Sequence, residues 1–169
     1  YVPFESVLRG LIGFFDLPMS RMSAGSPGQD GLTLTIKGEN FDVSPAICYE
    51  IAYGESLRKR SINSSAIITV SNDTWFGPTN GPWQHLQIAR VRALENAKPV
   101  IRATNNGVTA VIDKNGRVVD KLPQFTSDVL RLTVNLTQGR TPYSYLGNWP
   151  ILFMIFLVFL YVWIRSRTL

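Results

Sequence analysis

The chain has 169 residues, 45% of them hydrophobic and 17% charged, a balance that supports a packed core and excludes intrinsic disorder. One cysteine and one histidine exclude an intramolecular disulfide and a tetrahedral Cys/His zinc centre, so neither a metal nor another cofactor is expected. The net charge of +5 suits an anionic partner, but Arg58-Lys59-Arg60 is the only tight basic run, no nucleic-acid-binding pattern accompanies it, and it reads as a solvated helix end.

In chain order, Tyr1-Val2-Pro3-Phe4 opens the sequence without a Met, a charged n-region or a long apolar run, so a fragment or processed product is expected. Ser20 to Gly31 is rich in Ser, Gly and Pro and reads as a linker. Leu32 to Ile36 alternates as a half-buried strand, Ala46 to Ile51 reads as a second, and Ala66 to Val70 as a fully buried third. Gly54-Glu55 opens a short helical stretch. Pro82 to Ala97 predicts a helix with Leu86, Ala89, Ala93, Leu94 and Ala97 on one face, ending before Pro99. Further strands are expected at Val100 to Ala103, Val108 to Ile112 and Arg117 to Val119, with Asp113 to Gly116 as a hairpin turn, and a final one at Val129 to Val134. Strands mixed with crossover helices indicate a layered α/β domain.

Composition changes sharply at Ile151. The fourteen residues to Ile164 carry no charge, and eleven are Leu, Ile, Phe or Val; at a membrane-helix centre these sum to roughly −3 to −7 kcal/mol in favour of insertion. Counted from Trp149, the run spans about 24 Å, short of the roughly 30 Å hydrocarbon core, so a buried helix is the competing reading. Tyr143, Tyr145 and Trp149 before it, Tyr161 and Trp163 at its close, and Arg165 and Arg167 beyond favour the membrane. By the positive-inside rule those arginines face the cytoplasm and the residues before about 148 lie on the other side.

Cys48 ends an apolar strand, Pro45-Ala46-Ile47-Cys48, and is followed by the polar Tyr49-Glu50. A nucleophile where a strand gives way to a turn is exposed at the sheet's end and borrows nearby backbone N–H groups for an oxyanion. Free cysteine is also a common buried small hydrophobe, and spacing alone leaves both readings open. There is no G-x-S-x-G elbow and no Walker lysine. His85 is available for a Cys-His pair, but one turn into an amphipathic helix a surface or capping role is commoner.

Ile47-Cys48-Tyr49-Glu50-Ile51, Val70 to Gly77 (VSNDTWFG), Gly81-Pro82-Trp83-Gln84-His85, Arg92-Ala93-Leu94-Glu95, Arg102 to Gly107 (RATNNG) and Gly147-Asn148-Trp149-Pro150 together resemble the apolipoprotein N-acyltransferases of the nitrilase superfamily. Tyr1 to Glu5 and Leu17 to Ser20 extend the likeness over nearly the whole chain. The resemblance implies an α-β-β-α sandwich, present here in part, with residues 1–146 in a periplasmic domain and 147–169 as a closing transmembrane helix of the bacterial inner membrane. It implies a Glu-Lys-Cys triad in which Cys48 is the nucleophile. The thiolate takes an acyl chain from a phospholipid and passes it, through a thioester, to the N-terminal diacylglyceryl-cysteine of an apolipoprotein. Tyr49 and Glu50 then support the site, with the Tyr49 N–H a candidate oxyanion donor.

The triad's Glu and Lys belong before Tyr1 in that family, and no lysine occurs here before Lys37. Trp75, Phe76 and Trp83 flank a Gly/Pro-rich loop and are candidates to line an acyl-chain entrance, with core packing as the alternative. Asn105, in Asn105-Asn106-Gly107, is a candidate to brace the active-site loop, although Asn-Gly is first a turn signal. Three functions are in view: the acyltransferase; a nitrilase-type amidase, which the apolar segment disfavours; and an inactive membrane-tethered fragment, which the missing Glu and Lys favour.

Overall fold

The computed structural model describes residues 31–167, so the expected linker before Gly31 and the Tyr1–Glu5 and Leu17–Ser20 stretches lie outside the described residues. The order is β1 (Leu32–Ile36), β2 (Glu39–Ile47), a 3-10 turn (Cys48–Ala52), α1 (Gly54–Ser61), β3 (Ala66–Asn72), a second 3-10 turn (Thr74–Phe76), α2 (Gly81–Asn96), β4 (Val100–Asn105), β5 (Ala110–Ile112), β6 (Val118–Lys121), α3 (Pro142–Leu146) and α4 (Trp149–Arg167).

The six strands form one mixed sheet in sequence order. Its heart is parallel: β2 pairs β3 and β3 pairs β4, with α1 and α2 as the crossovers. Antiparallel hairpins extend it at both sides, β1 on β2 and then β5 and β6 beyond β4. Lys37 and Gly38 both take positive φ, 52° and 84°, as a two-residue hairpin turn of matching twist requires. At the other hairpin the Asp113 carboxylate accepts from the N–H groups of Asn115 and Arg117, each at 2.9 Å, and Gly116 sits at φ 74°. That turn is the expected one.

Leu57 of α1 and Leu86, Ala89 and Ala93 of α2 pack on Ala46, Ile67, Val100, Ala110 and Ile112 of the sheet, forming one core with Ile51 and Val108. The small alanines let α2 lie close to the sheet. Among the described residues this gives one sheet with one helical layer.

Several expectations are corrected. The second strand stops at Ile47, because Cys48 leaves the extended region at φ 53°. β1 is exposed at all five positions rather than alternately buried. Residues 129–134 keep the period-two pattern, with Leu130, Leu132 and Val134 half-buried and Val129, Arg131 and Thr133 exposed, but they form no strand. Alternation specifies an extended chain; a strand also needs a neighbour to pair with, and residues 129–134 join no ladder of the sheet. Of the basic run only Lys59 is solvated as expected, for Arg58 is buried and bound to Glu55.

α4 is longer than the sixteen residues counted from sequence, running 19 residues to Arg167 with every described position exposed. It is long and apolar enough to cross a membrane. Arg167 folds back over the Trp163 ring at 4.8 Å.

Candidate active site

Parallel strands end together, so β2, β3 and β4 deliver Cys48, Asp73 and Asn105 to one end of the sheet. Cys48 is half-buried and reduced. Its φ of 53° is a left-handed conformation that costs a non-glycine residue about 1–3 kcal/mol and persists only where its surroundings over-determine it.

Two contacts supply that determination. The Glu50 carboxylate turns back to accept from the Ile47 N–H at 2.9 Å, with Arg60 Nη1 3.5 Å from the same oxygen. On the other side His85 Nε2 lies 3.3 Å from the Cys48 carbonyl oxygen. Tyr49 projects outward, edge-on to Tyr53 with ring centroids 6.0 Å apart and 6.3 Å from the His85 ring.

Behind the turn lies a buried ionic cluster. Arg102 Nη2 donates to Asp73 Oδ2 at 2.6 Å and lies 3.1 Å from His85 Nδ1, which is itself 3.0 Å from Asp73 Oδ1. Ser71 Oγ donates to Asp73 Oδ1 at 2.6 Å, and Arg102 Nε donates to the Val108 carbonyl at 3.2 Å. Burial pushes the Arg102 guanidinium below its ordinary value, while the Asp73 carboxylate and, less strongly, the Cys48 thiolate pull it back up. Gly107 is required beside this cluster, because a Cβ there would come 2.3 Å from Asp73 Oδ2.

The expected aromatic residues sit on two elements and differ in exposure. Trp75 is 79% exposed on the second 3-10 turn, whereas Phe76 lies across the backbone of Gly81, where any Cβ would strike its ring. Trp83, in the first turn of α2, is half-covered by Lys121 of β6, whose Nζ sits 4.4 Å from the ring centroid. Asn105 has an exposed side chain, and its carbonyl accepts from the Asp73 N–H at 3.1 Å.

His85 is not at the surface, as its helical position suggested, but 4% exposed and facing Asp73 and the Cys48 main chain. Asp73 and Arg102 were not singled out from sequence. The available signal was Arg102 within Val100-Ile101-Arg102-Ala103, an obligate charge in a central strand that demands a buried partner.

Cys48 thus sits at a left-handed turn on the carboxyl end of a parallel strand, in front of a buried charge cluster, within a layered α/β domain. The chain belongs to the carbon-nitrogen hydrolase family, which it matches over residues 3–141. It is 46% identical over 154 residues to the apolipoprotein N-acyltransferase of Photobacterium profundum, covering 90% of this chain and 29% of that relative. To the apolipoprotein N-acyltransferase of Vibrio vulnificus it is 45% identical over 168 residues, covering 99% and 32% respectively. The chain therefore spans about a third of the length of these curated relatives. A solved carbon-nitrogen hydrolase from Helicobacter pylori shares the fold, with a TM-score of 0.53 at 15% identity over 63% of this chain and 43% of that one.

Proposed function

We propose that this chain carries the nucleophile of a membrane-bound acyltransferase that moves a fatty acyl group from a phospholipid to the N-terminal diacylglyceryl-cysteine of an apolipoprotein. The observation that carries the reading is Cys48, the sole cysteine, held at φ 53° at the end of β2 in a chain 46% identical to an apolipoprotein N-acyltransferase. Residues 1–146 then belong to a periplasmic catalytic body, and 147–169 anchor it in the bacterial inner membrane with Arg165 and Arg167 on the cytoplasmic side.

In the first half-reaction the Cys48 thiolate attacks the ester carbonyl carbon and the negative charge moves to the carbonyl oxygen. The tetrahedral adduct collapses by breaking the ester C–O bond, and a lysophospholipid leaves with a proton. In the second, the lipoprotein's α-amino group attacks the thioester, loses a proton and expels the thiolate, so an amide replaces the thioester and Cys48 is regenerated. The carboxylate base and the ammonium come from chain preceding Tyr1, as the family resemblance implies. The Tyr49 N–H, which follows the nucleophile, faces the oxyanion, and Glu50 braces the turn. Trp75, Phe76, Trp83 and Asn105 line the approach of the acyl chain, a role that the exposure of Trp75 supports.

An amidase of the same family shares the cysteine but acts on a small soluble amide. α4, apolar on all sides and exposed throughout, favours the lipid substrate instead. The test is Cys48→Ser in the complete protein, in membranes, with a labelled phospholipid and a diacylglyceryl-cysteine peptide. Acyl transfer and thioester should both disappear, since serine is a far weaker nucleophile without matched activation; transfer at the parental rate would remove Cys48 from the mechanism.

A further inference from the structure

The ionic cluster behind the Cys48 turn hydrogen-bonds to that residue through its main chain, and Arg102 senses the thiolate only through its charge. His85 is the one member that reaches it: Nε2 lies 3.3 Å from the Cys48 carbonyl oxygen, while Nδ1 faces Asp73 and Arg102. A carbonyl oxygen only accepts, so Nε2 carries a proton in this contact. The ring's orientation is fixed in turn by Asp73, which is 1% exposed, and by Arg102 beside it.

The peptide joining Cys48 to Tyr49 is planar and trans, so its C=O and N–H point in opposite directions. Whatever fixes the Cys48 carbonyl therefore also aims the Tyr49 N–H. We infer that His85 is a positioning residue: by donating from Nε2 to the Cys48 carbonyl it turns the 48–49 peptide so that the Tyr49 N–H faces the oxyanion formed on the acyl group at Cys48. This rests on the reading of Cys48 as the acyl-accepting nucleophile. It assigns His85 no proton transfer with sulfur, in contrast to a Cys-His pair.

The geometry also gives φ 53° at Cys48 a cause. A left-handed cysteine relaxes unless something holds it, and here Glu50 holds the Ile47 N–H one residue before it while His85 holds the Cys48 carbonyl. Asp73 and Arg102 keep the imidazole from rotating, much as a carboxylate orients a metal-bound histidine.

The experiment compares His85→Gln, whose side-chain amide offers a donor at similar reach, with His85→Met, of similar size but without one, in the complete membrane-bound protein. Single-turnover thioester formation from labelled phospholipid is measured alongside the KM for donor and the alkylation rate of Cys48 by iodoacetamide. His85→Met should slow acylation about 10- to 100-fold, less than outright loss of an oxyanion donor. KM and alkylation, which needs no oxyanion, should stay within about threefold, and His85→Gln should recover most of the loss.

Parental acylation in His85→Met overturns the inference, as does a loss confined to KM, or equal losses in both variants with normal membrane accumulation. A drop in alkylation matching the drop in acylation also overturns it, since that would assign His85 to the thiol. If His85→Met does not accumulate, His85→Gln decides: near-parental acylation supports the inference and a tenfold loss overturns it. A Cys48→Ser arm run in parallel separates the two levels. Persistent transfer there defeats the nucleophile reading itself, which no result at His85 does.

Discussion

The parallel end of the sheet and α4 break the same rule in opposite directions. Around Asp73 the protein buries an arginine, a carboxylate and an imidazole to 4% exposure or less, and along α4 it exposes isoleucine, leucine and phenylalanine without a polar break. Both are stable only through what surrounds them. The buried charges rely on each other, with Asp73 accepting from Arg102 and Ser71, whereas the exposed apolar side chains form a helix long and apolar enough to cross a membrane, and on the reading proposed above lipid is what covers them. On that reading a polar residue is indispensable in one region and intolerable in the other.

The largest effect should come from removing one partner in the cluster. Arg102→Leu leaves Asp73 buried without its counter-charge and should cost about 3–5 kcal/mol, read as a fall in the thermal midpoint in detergent. A loss below about 1 kcal/mol would mean that water already reaches Asp73. Next is the converse insult. Leu157→Arg places a charge midway along α4 and should cost roughly 2.5–3.5 kcal/mol of insertion, read as a shift from carbonate-resistant to extractable protein. Unchanged extraction would show that α4 is not what holds the protein in the membrane.

Gly107→Ala tests how tightly the cluster is packed without altering its charges. The added methyl must displace Asp73 Oδ2 from 2.3 Å, so a loss of about 1–3 kcal/mol is expected in thermal unfolding. The smallest effect is at the surface. Arg58 binds the Glu55 carboxylate through two hydrogen bonds, of 2.7 and 2.9 Å, and lowers its pKa from 4.5 to about 2. A carboxyl depressed on folding contributes stability above its unfolded value of 4.5, and that contribution fades as pH falls from 4.5 towards 2. Because the Glu55 side chain is 46% exposed, screening holds the benefit under about 1 kcal/mol. Glu55→Gln should thus lower the thermal midpoint slightly at pH 7 and less at pH 3.

Much of this was legible in the sequence because it depends on local periodicity. α2 was expected at Pro82 to Ala97 and lies at Gly81–Asn96; the Asp113 turn and the strands begun at Ala66 and Val100 also stand where patterning placed them, whereas β2 lies almost wholly before the Ala46 to Ile51 stretch expected for it. Cys48 announced itself through the change from Pro45-Ala46-Ile47 to Tyr49-Glu50. The cluster did not, since Asp73, His85 and Arg102 are brought together only by the register of β3 with β4 and the fall of α2 across them. A helical histidine looks the same in sequence whether it faces water or a buried carboxylate. The stretch 129–134 shows the reverse error, in which a correct pattern lacks the partner that would complete it.

Gly147 gives the two regions a mechanical relation. α3 is docked on the body through Arg58 Nη1, which donates to the Ser144 carbonyl, and through Thr141, whose hydroxyl donates to the Glu95 carbonyl. The chain then turns at Gly147, φ 56°, where a Cβ would sit 3.0 Å from Glu55 Oε2 and 3.1 Å from Arg58 Nε, and α4 begins two residues later. A joint this short has almost no slack. On the membrane-bound reading proposed above it would work as a wrist rather than a tether: tilt of α4 would pass to the body as torque, and bilayer thickness would become a variable in how the body meets the lipid surface.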